Sequence, residues 1–396
     1  MKLLIVIPAY NEEESIESII RRTLDAREHI IAGTRVDSVD ITVVSDGSTD
    51  KTVELANSFR DQVTIIVFEH NRGYGAAIKE GWEQSDADLL SFLDADGTCD
   101  PMFFIKLCNL LEETNSDVVL GCRLNPDSKM PLIRKTGNII FSIMLTLFSS
   151  KRVRDTASGM RVVRRNILAR LMPLPNGLHF TPAMSARAIL SGNIKISEID
   201  MPYHEREGES KLSAIKDGIN FFKVILSASL LYKPSRPLNI IGVLAFVTAL
   251  LLMIMPTFYY LQHREVLEWM IYRFVVSNLL GTVSLLIFCY SYLAGKIVGI
   301  TLSRNRKKSI IHKLLAPFFS SRLFWYVPIL LFLAGGLLVL PSFLELMKTG
   351  ATYEHWSRFI VMSFFYSVAF ILIATRLIDY SLSLISDRLA YLRSLE

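Results

Sequence analysis

Four stretches in the C-terminal part of the chain contain no Asp, Glu, Lys or Arg: residues 237–262, 274–295, 324–344 and 359–375. Crossing a bilayer takes roughly 20 apolar residues in a helix, with about 17 as the lower limit. A buried helix of a soluble core accounts for one such block, not for four in series. Backbone polar groups inside hydrocarbon must bond within their own segment, so each block is expected to be a helix. The reading is a membrane domain over 237–396, with transmembrane helices at about 238–261, 274–296, 324–345 and 358–378. An amphipathic juxtamembrane segment, 213–236, precedes it, and residues 1–212 form a charged, soluble domain.

Lysines and arginines in short connectors set orientation. The connector 301–323 carries Arg304, Arg306, Lys307, Lys308, Lys313 and Arg322 with no acid, whereas those around 263–273 and 345–358 are balanced. The basic connector is therefore expected on the cytosolic side, and four spans put both termini and the soluble domain there too. The apolar start at 3–9 is too short for a signal peptide and runs into Pro8 and three acids. Cys99, Cys108, Cys122 and Cys289 form no C-x-x-C pair, as expected of a reducing compartment without structural zinc. The net charge of +5 is largely topological, and no basic patch interleaved with aromatics argues for nucleic acid. A homo-oligomer is compatible with all of this.

Within the soluble domain, short β-branched runs alternate with helical segments. Strands are expected at 3–8, 39–44, 63–68, 89–93 and 118–120, with another at 194–201. The fold class is thus α/β, with a parallel sheet covered on both faces. Ligands of such sheets bind beyond the carboxyl ends of the strands, where Tyr10, Glu12, Asp46, Arg72, Asp94 and Asp96 fall. The turn after the first strand, PAYNEE, lacks the glycines of a dinucleotide site, and no Walker A, H-E-x-x-H or nucleophile-elbow sequence occurs. The apolar run 139–148 is too short to span and suits either a core helix or one at the membrane surface. Residues 214–232 have the pattern of a membrane-surface helix.

The stretch 89–101, LLSFLDADGTCDP, carries the chemistry. Side chains i and i+2 of an extended backbone lie on the same side, so Asp94 and Asp96 converge, and Gly97 frees the turn. Such a pair suits a hard divalent cation, which keeps open positions for phosphate oxygens.

Six segments in order, IPAYNEEESI (7–16), VVSDGSTD (43–50), NRGYGAAIKEG (71–81), LDADGTCDP (93–101), DTASGMR (155–161) and GESKL (208–212), together resemble glycosyltransferase family two. The family's fold is GT-A: a Rossmann-like, nucleotide-sugar-binding, mixed and mostly parallel sheet. With Arg206 and four spans, the chain is most similar to the polyprenyl-phosphate sugar synthases, such as dolichyl-phosphate mannose synthases and bacterial polyprenyl-phosphate glucosyltransferases. The resemblance implies that Pro8, Tyr10, Glu12, Asp46, Ala95, Asp96 and Arg123 bind the donor nucleotide sugar. It implies that Asp94 and Asp96, with Thr98, hold Mg²⁺ or Mn²⁺. Arg123, Arg134, Arg206, Ser210 and Lys211 would bind the acceptor phosphate, and Asp94, Asp96, Arg206 and Lys211 would carry catalysis. The mannose synthases carry glutamine where this chain has Thr98.

The implied reaction is a metal-dependent, inverting transfer of one hexose from GDP-mannose or UDP-glucose to dolichyl or undecaprenyl phosphate at the cytosolic face of the bilayer. A lipid phosphate is already anionic, so positioning and charge stabilisation replace a strong general base. Asp155 is read as orienting neighbouring basic side chains, with general base as the alternative. Extension of a polysaccharide or glycolipid by a related enzyme is the competing activity. Processive synthases carry Q-x-x-R-W, which none of Gln62, Gln84 or Gln262 begins. A membrane scaffold with an inactive transferase-like domain is the non-enzymatic alternative, and the intact acids argue against it.

Overall fold

The computed structural model describes residues 1–126, 128–149, 152–204, 213–302, 310–352 and 354–395. They form two compact units, Met1–Tyr232 and Lys233–Glu396.

The first unit begins with the expected alternation: β1 (Lys2–Ala9), α1 (Ile16–Gly33), β2 (Ser38–Ser45), α2 (Thr52–Asn57), β3 (Thr64–Val67), α3 (Tyr74–Glu83) and β4 (Leu89–Leu93). It continues through α4 (Phe104–Glu113), β5 (Val118–Cys122), α5 (Leu132–Ser149), β6 (Met160–Arg164), α6 (Leu168–Leu171), α7 (Phe180–Ser191), β7 (Ile196–Asp200) and α8 (Ala214–Tyr232). The seven strands lie in the order β3-β2-β1-β4-β6-β5-β7. All neighbours are parallel except that β6 runs against both β4 and β5. The sheet is therefore mixed and mostly parallel, as in a GT-A-like fold, where strand–helix alternation alone pointed to a purely parallel one. The strand order reverses beside β1, which has β2 on one edge and β4 on the other. Crevices at such switch points are where open α/β sheets take ligands.

Both faces of the sheet are covered because successive residues of the central strands are apolar, as in the unbroken run 3–7 of β1. Leu3, Ile5 and Ile7 of β1 face Ile16, Ile19 and Ile20 of α1 and Phe104, Leu107 and Leu111 of α4. Leu4 and Val6 point the other way, into a cluster with Trp82 of α3, Phe92 of β4 and Phe180 and Met184 of α7. The Trp82 ring lies 5.7 Å from that of Phe180 and 6.2 Å from that of Phe92, and its indole N–H donates to the Ser91 carbonyl at 3.2 Å.

The run 139–148 belongs to α5, which flanking residues extend to 18. Both of its sides carry apolar residues, and the inner one is mixed with polar ones. Asn138, Ser142, Leu145 and Phe148 face the protein, whereas Leu132, Ile133, Ile140, Ile143 and Leu147 are exposed. Helix α8 packs Ile225, Ala228 and Tyr232 against Leu145 and Phe148, and leaves Ile215, Ile219 and Phe222 exposed.

The second unit holds α9 (Ser235–His263), α10 (Ile271–Thr301), α11 (Ile310–Ser320), α12 (Tyr326–Thr349) and α13 (Trp356–Arg393). Among the described residues, five helices are long and apolar enough to cross a membrane, one more than the four expected spans; the additional one is α5. Helices α9 and α10 approach closely at Gly242, whose carbonyl accepts from Ser284 Oγ at 2.9 Å, and Ser277 Oγ donates to Ala249 O at 3.0 Å. Small residues and hydroxyl bonds of this kind hold helices together where no hydrophobic force separates protein from lipid. Asp379 lies one residue past the expected end of the last span, yet it is buried inside the unit. It accepts from Lys296 Nζ at 2.5 Å and from Tyr292 Oη at 2.8 Å, with Arg376 Nη1 3.6 Å away. Asp379, Lys296, Tyr292 and Arg376 thus form an ion cluster inside the unit.

Trp82→Ala is expected to cost about 3–5 kcal/mol, the range for emptying a large aromatic site. Thermal unfolding of the full chain in detergent, followed by circular dichroism, checks this through a lowered midpoint.

Candidate active site

The carboxyl ends of β1, β2 and β4 open into a cavity of about 500 Å³. Its walls come from one unit, and nine of the residues singled out in the sequence line it: Pro8, Tyr10, Glu12, Asp46, Asp94, Ala95, Asp96, Arg123 and Arg134. Thr98 lies beneath, fully buried. Arg206, Ser210 and Lys211 lie outside the described residues.

Two carboxylates enter from the turn after β4, where Gly97 takes the left-handed conformation (φ 70°) that permits the reversal. Asp96 is buried, and its Oδ1 accepts from Thr98 Oγ1 at 2.6 Å and from Thr98 N at 3.2 Å. Thr98 thus supports Asp96 within the turn. Asp94 accepts from Tyr74 Oη at 2.6 Å through Oδ1. A Cβ at position 159 would overlap the Asp94 carboxylate, so a larger residue there would displace it. The closeness follows from the register of β4 with β6, Leu93 opposite Met160, which sets Gly159 beside Asp94.

Asp46 at the end of β2 is buried and spends both oxygens on the next loop, accepting from Arg72 N at 2.6 Å and Gly73 N at 2.9 Å. Burial raises its pKa, against the opposing pull of those two N–H groups. Arg72 itself turns outward, stacking its guanidinium over Phe68 and pairing with Glu80.

The loop before β6 rests on a buried ionic network. Asp155 is wholly buried and accepts from Arg123 Nε at 2.8 Å, Arg123 Nη2 at 3.0 Å, Arg123 N at 3.0 Å and Asn138 Nδ2 at 2.5 Å. Burial pushes its carboxyl upward, but the Arg123 charge and these donors outweigh it and hold the pKa below the ordinary value. Asp155 is thus the orienting acid, not a base facing substrate. Arg123, pinned at the cavity wall over the Tyr203 ring, has its pKa raised by Asp155 despite the cost of burial. Beneath them Arg161 is fully buried, donating to Ser158 O at 3.1 Å, Thr156 O at 2.8 Å and Ser185 Oγ at 2.9 Å. Burial lowers its pKa to about 10, with Asp155 partly offsetting.

Sequence reasoning did not single out Tyr74, Asn138, Phe141, Gly159, Tyr203 or Phe221, all of which line the cavity. Two of them lay within quoted motifs, Tyr74 in NRGYG and Gly159 in DTASGMR. Phe141 of α5 and Phe221 of α8 face each other with ring centroids 5.6 Å apart. With Met130, Ile133 and Leu178 they give the cavity an apolar wall beside its acids.

Residues 4–172 match the model of glycosyl transferase family 2. The chain is 32% identical over 263 residues to an undecaprenyl-phosphate 4-deoxy-4-formamido-L-arabinose transferase of Photorhabdus laumondii, covering 64% of this chain and 77% of that one. It is 28% identical over 235 residues to a dolichyl-phosphate hexose transferase of Haloferax volcanii, covering 58% and 94%. It is 32% identical over 254 residues to the low-salt glycan biosynthesis hexosyltransferase Agl6 of the same organism, covering 62% of this chain and 59% of that one. Among solved structures, glucosyl-3-phosphoglycerate synthase of Mycobacterium tuberculosis aligns with a TM-score of 0.46 at 20% identity, covering 58% and 78%. The class these matches define is an enzyme that moves sugars, a glycosyltransferase. The chain belongs to glycosyl transferase family 2.

Asp155→Ala leaves Arg123 buried without its counter-charge and is expected to cost about 3–5 kcal/mol. The Asp155 contribution is present above its unfolded-state pKa of about 3.9 and is lost as pH falls through the lower folded value. Thermal midpoints of wild type and Asp155→Asn should therefore differ most near neutral pH and converge in acid.

Proposed function

We propose that this enzyme transfers a single hexose from a nucleotide sugar, GDP-mannose or UDP-glucose, to a polyprenyl phosphate at the cytosolic membrane face, with inversion at the anomeric carbon. One observation carries the proposal: a single cavity has both an acidic wall, Asp94 and Asp96, and an apolar wall built on α5 and α8. Those two helices also turn apolar side chains outward, as a helix lying in a lipid interface does. An acceptor with an anionic head and a hydrocarbon tail fits such a site. The relatives named for undecaprenyl-phosphate and dolichyl-phosphate transfer support the same class of acceptor.

The donor set fits a divalent cation. Two carboxylates from one turn line the cavity, and among the described residues no cluster of three His, Cys, Asp or Glu side chains exists to enclose an ion. Mg²⁺ in particular is held by one or two carboxylates together with substrate phosphates. When bound by Asp94 and Asp96, Mg²⁺ or Mn²⁺ would neutralise the charge developing on the departing nucleoside diphosphate. Pro8, Tyr10, Glu12 and Ala95 frame the nucleotide, and Asp46 shapes the loop that closes its side.

The acceptor phosphate needs no proton removed, and Asp155 is engaged by Arg123 and Asn138. The task of the chain is to hold two anions together. Arg134 at the cavity and Arg206, Ser210 and Lys211 of the following segment are assigned to the acceptor phosphate, Arg123 to the wall between the substrates. Guanidinium forks suit phosphate oxygens. In-line attack from the face opposite the leaving diphosphate gives inversion. The basic connector 301–323 orients the protein with its transferase unit and both termini in the cytosol.

The purified full chain, given labelled UDP-glucose or GDP-mannose, undecaprenyl or dolichyl phosphate and Mg²⁺, is expected to form a labelled lipid that EDTA abolishes. No lipid product from any donor sinks the proposal. Asp96→Ala is expected to lower turnover at least about a hundredfold, since charge neutralisation by a metal is worth several kcal/mol and each 1.36 kcal/mol is about tenfold in rate.

A further inference from the structure

We infer that Tyr74 is a positioning residue whose hydroxyl fixes the orientation of the Asp94 carboxylate for the divalent cation of the donor site. This rests on the metal-dependent reading above. The Tyr74 Oη to Asp94 Oδ1 distance of 2.6 Å is that of an O–H···O⁻ bond, the stronger, charge-assisted kind. The ring itself is held edge-on by Phe92 at 6.3 Å and Phe180 at 6.5 Å, so the hydroxyl has a defined place. The absence of a side chain at Gly159 leaves room for the same carboxylate, since a Cβ there would overlap Oδ2. The Asp94 carboxylate thus takes a donor at Oδ1 and lies where only a glycine leaves it space.

The two acids of the motif are supported differently. Asp96 takes its hydroxyl from Thr98 in its own turn, whereas Asp94 takes its hydroxyl from the start of α3. Tyr74 follows Gly73, whose N–H is bound by Asp46, and Gly73 adopts a φ of 102° open to glycine. A continuous chain thus runs from Asp46 on the nucleotide side, through Gly73 and Tyr74, to Asp94. Partners that orient a metal ligand are worth about 10–100-fold in metal affinity, and near-octahedral Mg²⁺ tolerates little misplacement.

The test is Mn²⁺ binding by the purified full chain with UDP or GDP present, followed by electron paramagnetic resonance of the free ion. Tyr74→Phe removes one oxygen and keeps the ring, so the thermal midpoint should stay close to wild type. Its Mn²⁺ affinity is expected to fall about tenfold, the lower end of the range for such partners. In an Asp94→Asn background the same change should produce no further loss, because the effect passes through Asp94. Gly159→Ala, which disturbs Asp94 from the opposite side while leaving Tyr74 intact, should weaken Mn²⁺ binding as well. Unchanged affinity in Tyr74→Phe overturns the inference, as does an equal loss with and without Asp94. Wild-type protein that binds no Mn²⁺ removes the metal reading itself, and this role with it.

Discussion

The site depends on one antiparallel pairing. Because β6 runs back between β4 and β5, the end of β4 meets the beginning of β6, and Leu93 stands opposite Met160. The turn bearing Asp94 and Asp96 and the loop bearing Asp155 and Gly159 are far apart in the chain but adjoin at that one register. Had β6 been parallel, its preceding loop would open at the other edge of the sheet. Arg123, which follows β5, would then lose its carboxylate partner, and Asp94 the glycine that leaves it room.

Charge burial around the cavity follows a consistent pattern. Asp46, Asp155, Arg123 and Arg161 are each placed where hydrogen bonds replace the lost water. Only some of these groups touch the cavity; the rest hold backbone. Asp155, with its carboxyl held below the ordinary range by the Arg123 guanidinium and its donors, is a poor base and a good fixture. The chemistry these groups offer is thereby narrowed to electrostatics and position, in keeping with the proposed joining of two phosphate-bearing molecules.

Much of this was legible from the sequence. The β-branched runs of β1 and β2, the apolar run of β4 and their polar turns mark strands ending at a ligand edge, and those ends do gather Tyr10, Asp46, Asp94 and Asp96. The strand β6 was not legible, because MRVVR has two arginines in five residues and reads as a basic loop. Arg161 sits inside only because Ser185 and two loop carbonyls accept from it, and no local pattern announces those partners. Helix α7 hides for the opposite reason: it is buried nearly all round, so it has no amphipathic stripe. Tyr74 reaches Asp94 across twenty positions of chain, a contact that motif spacing leaves blank.

Helix α5 turns the polar Asn138 and Ser142 inward beside Leu145 and Phe148, and exposes several large apolar residues on its other side. Asn138 on its inner side holds both Asp155 and Thr156, while Ile140 and Ile143 look away from the protein. An α-helix with its side chains is only about 10 Å across. Whatever apolar medium meets the outer side is thus a single helix away from the loop that frames the reacting groups. On the proposed reading, detergent, lipid thickness and acyl-chain order become variables of the active site as much as of anchorage.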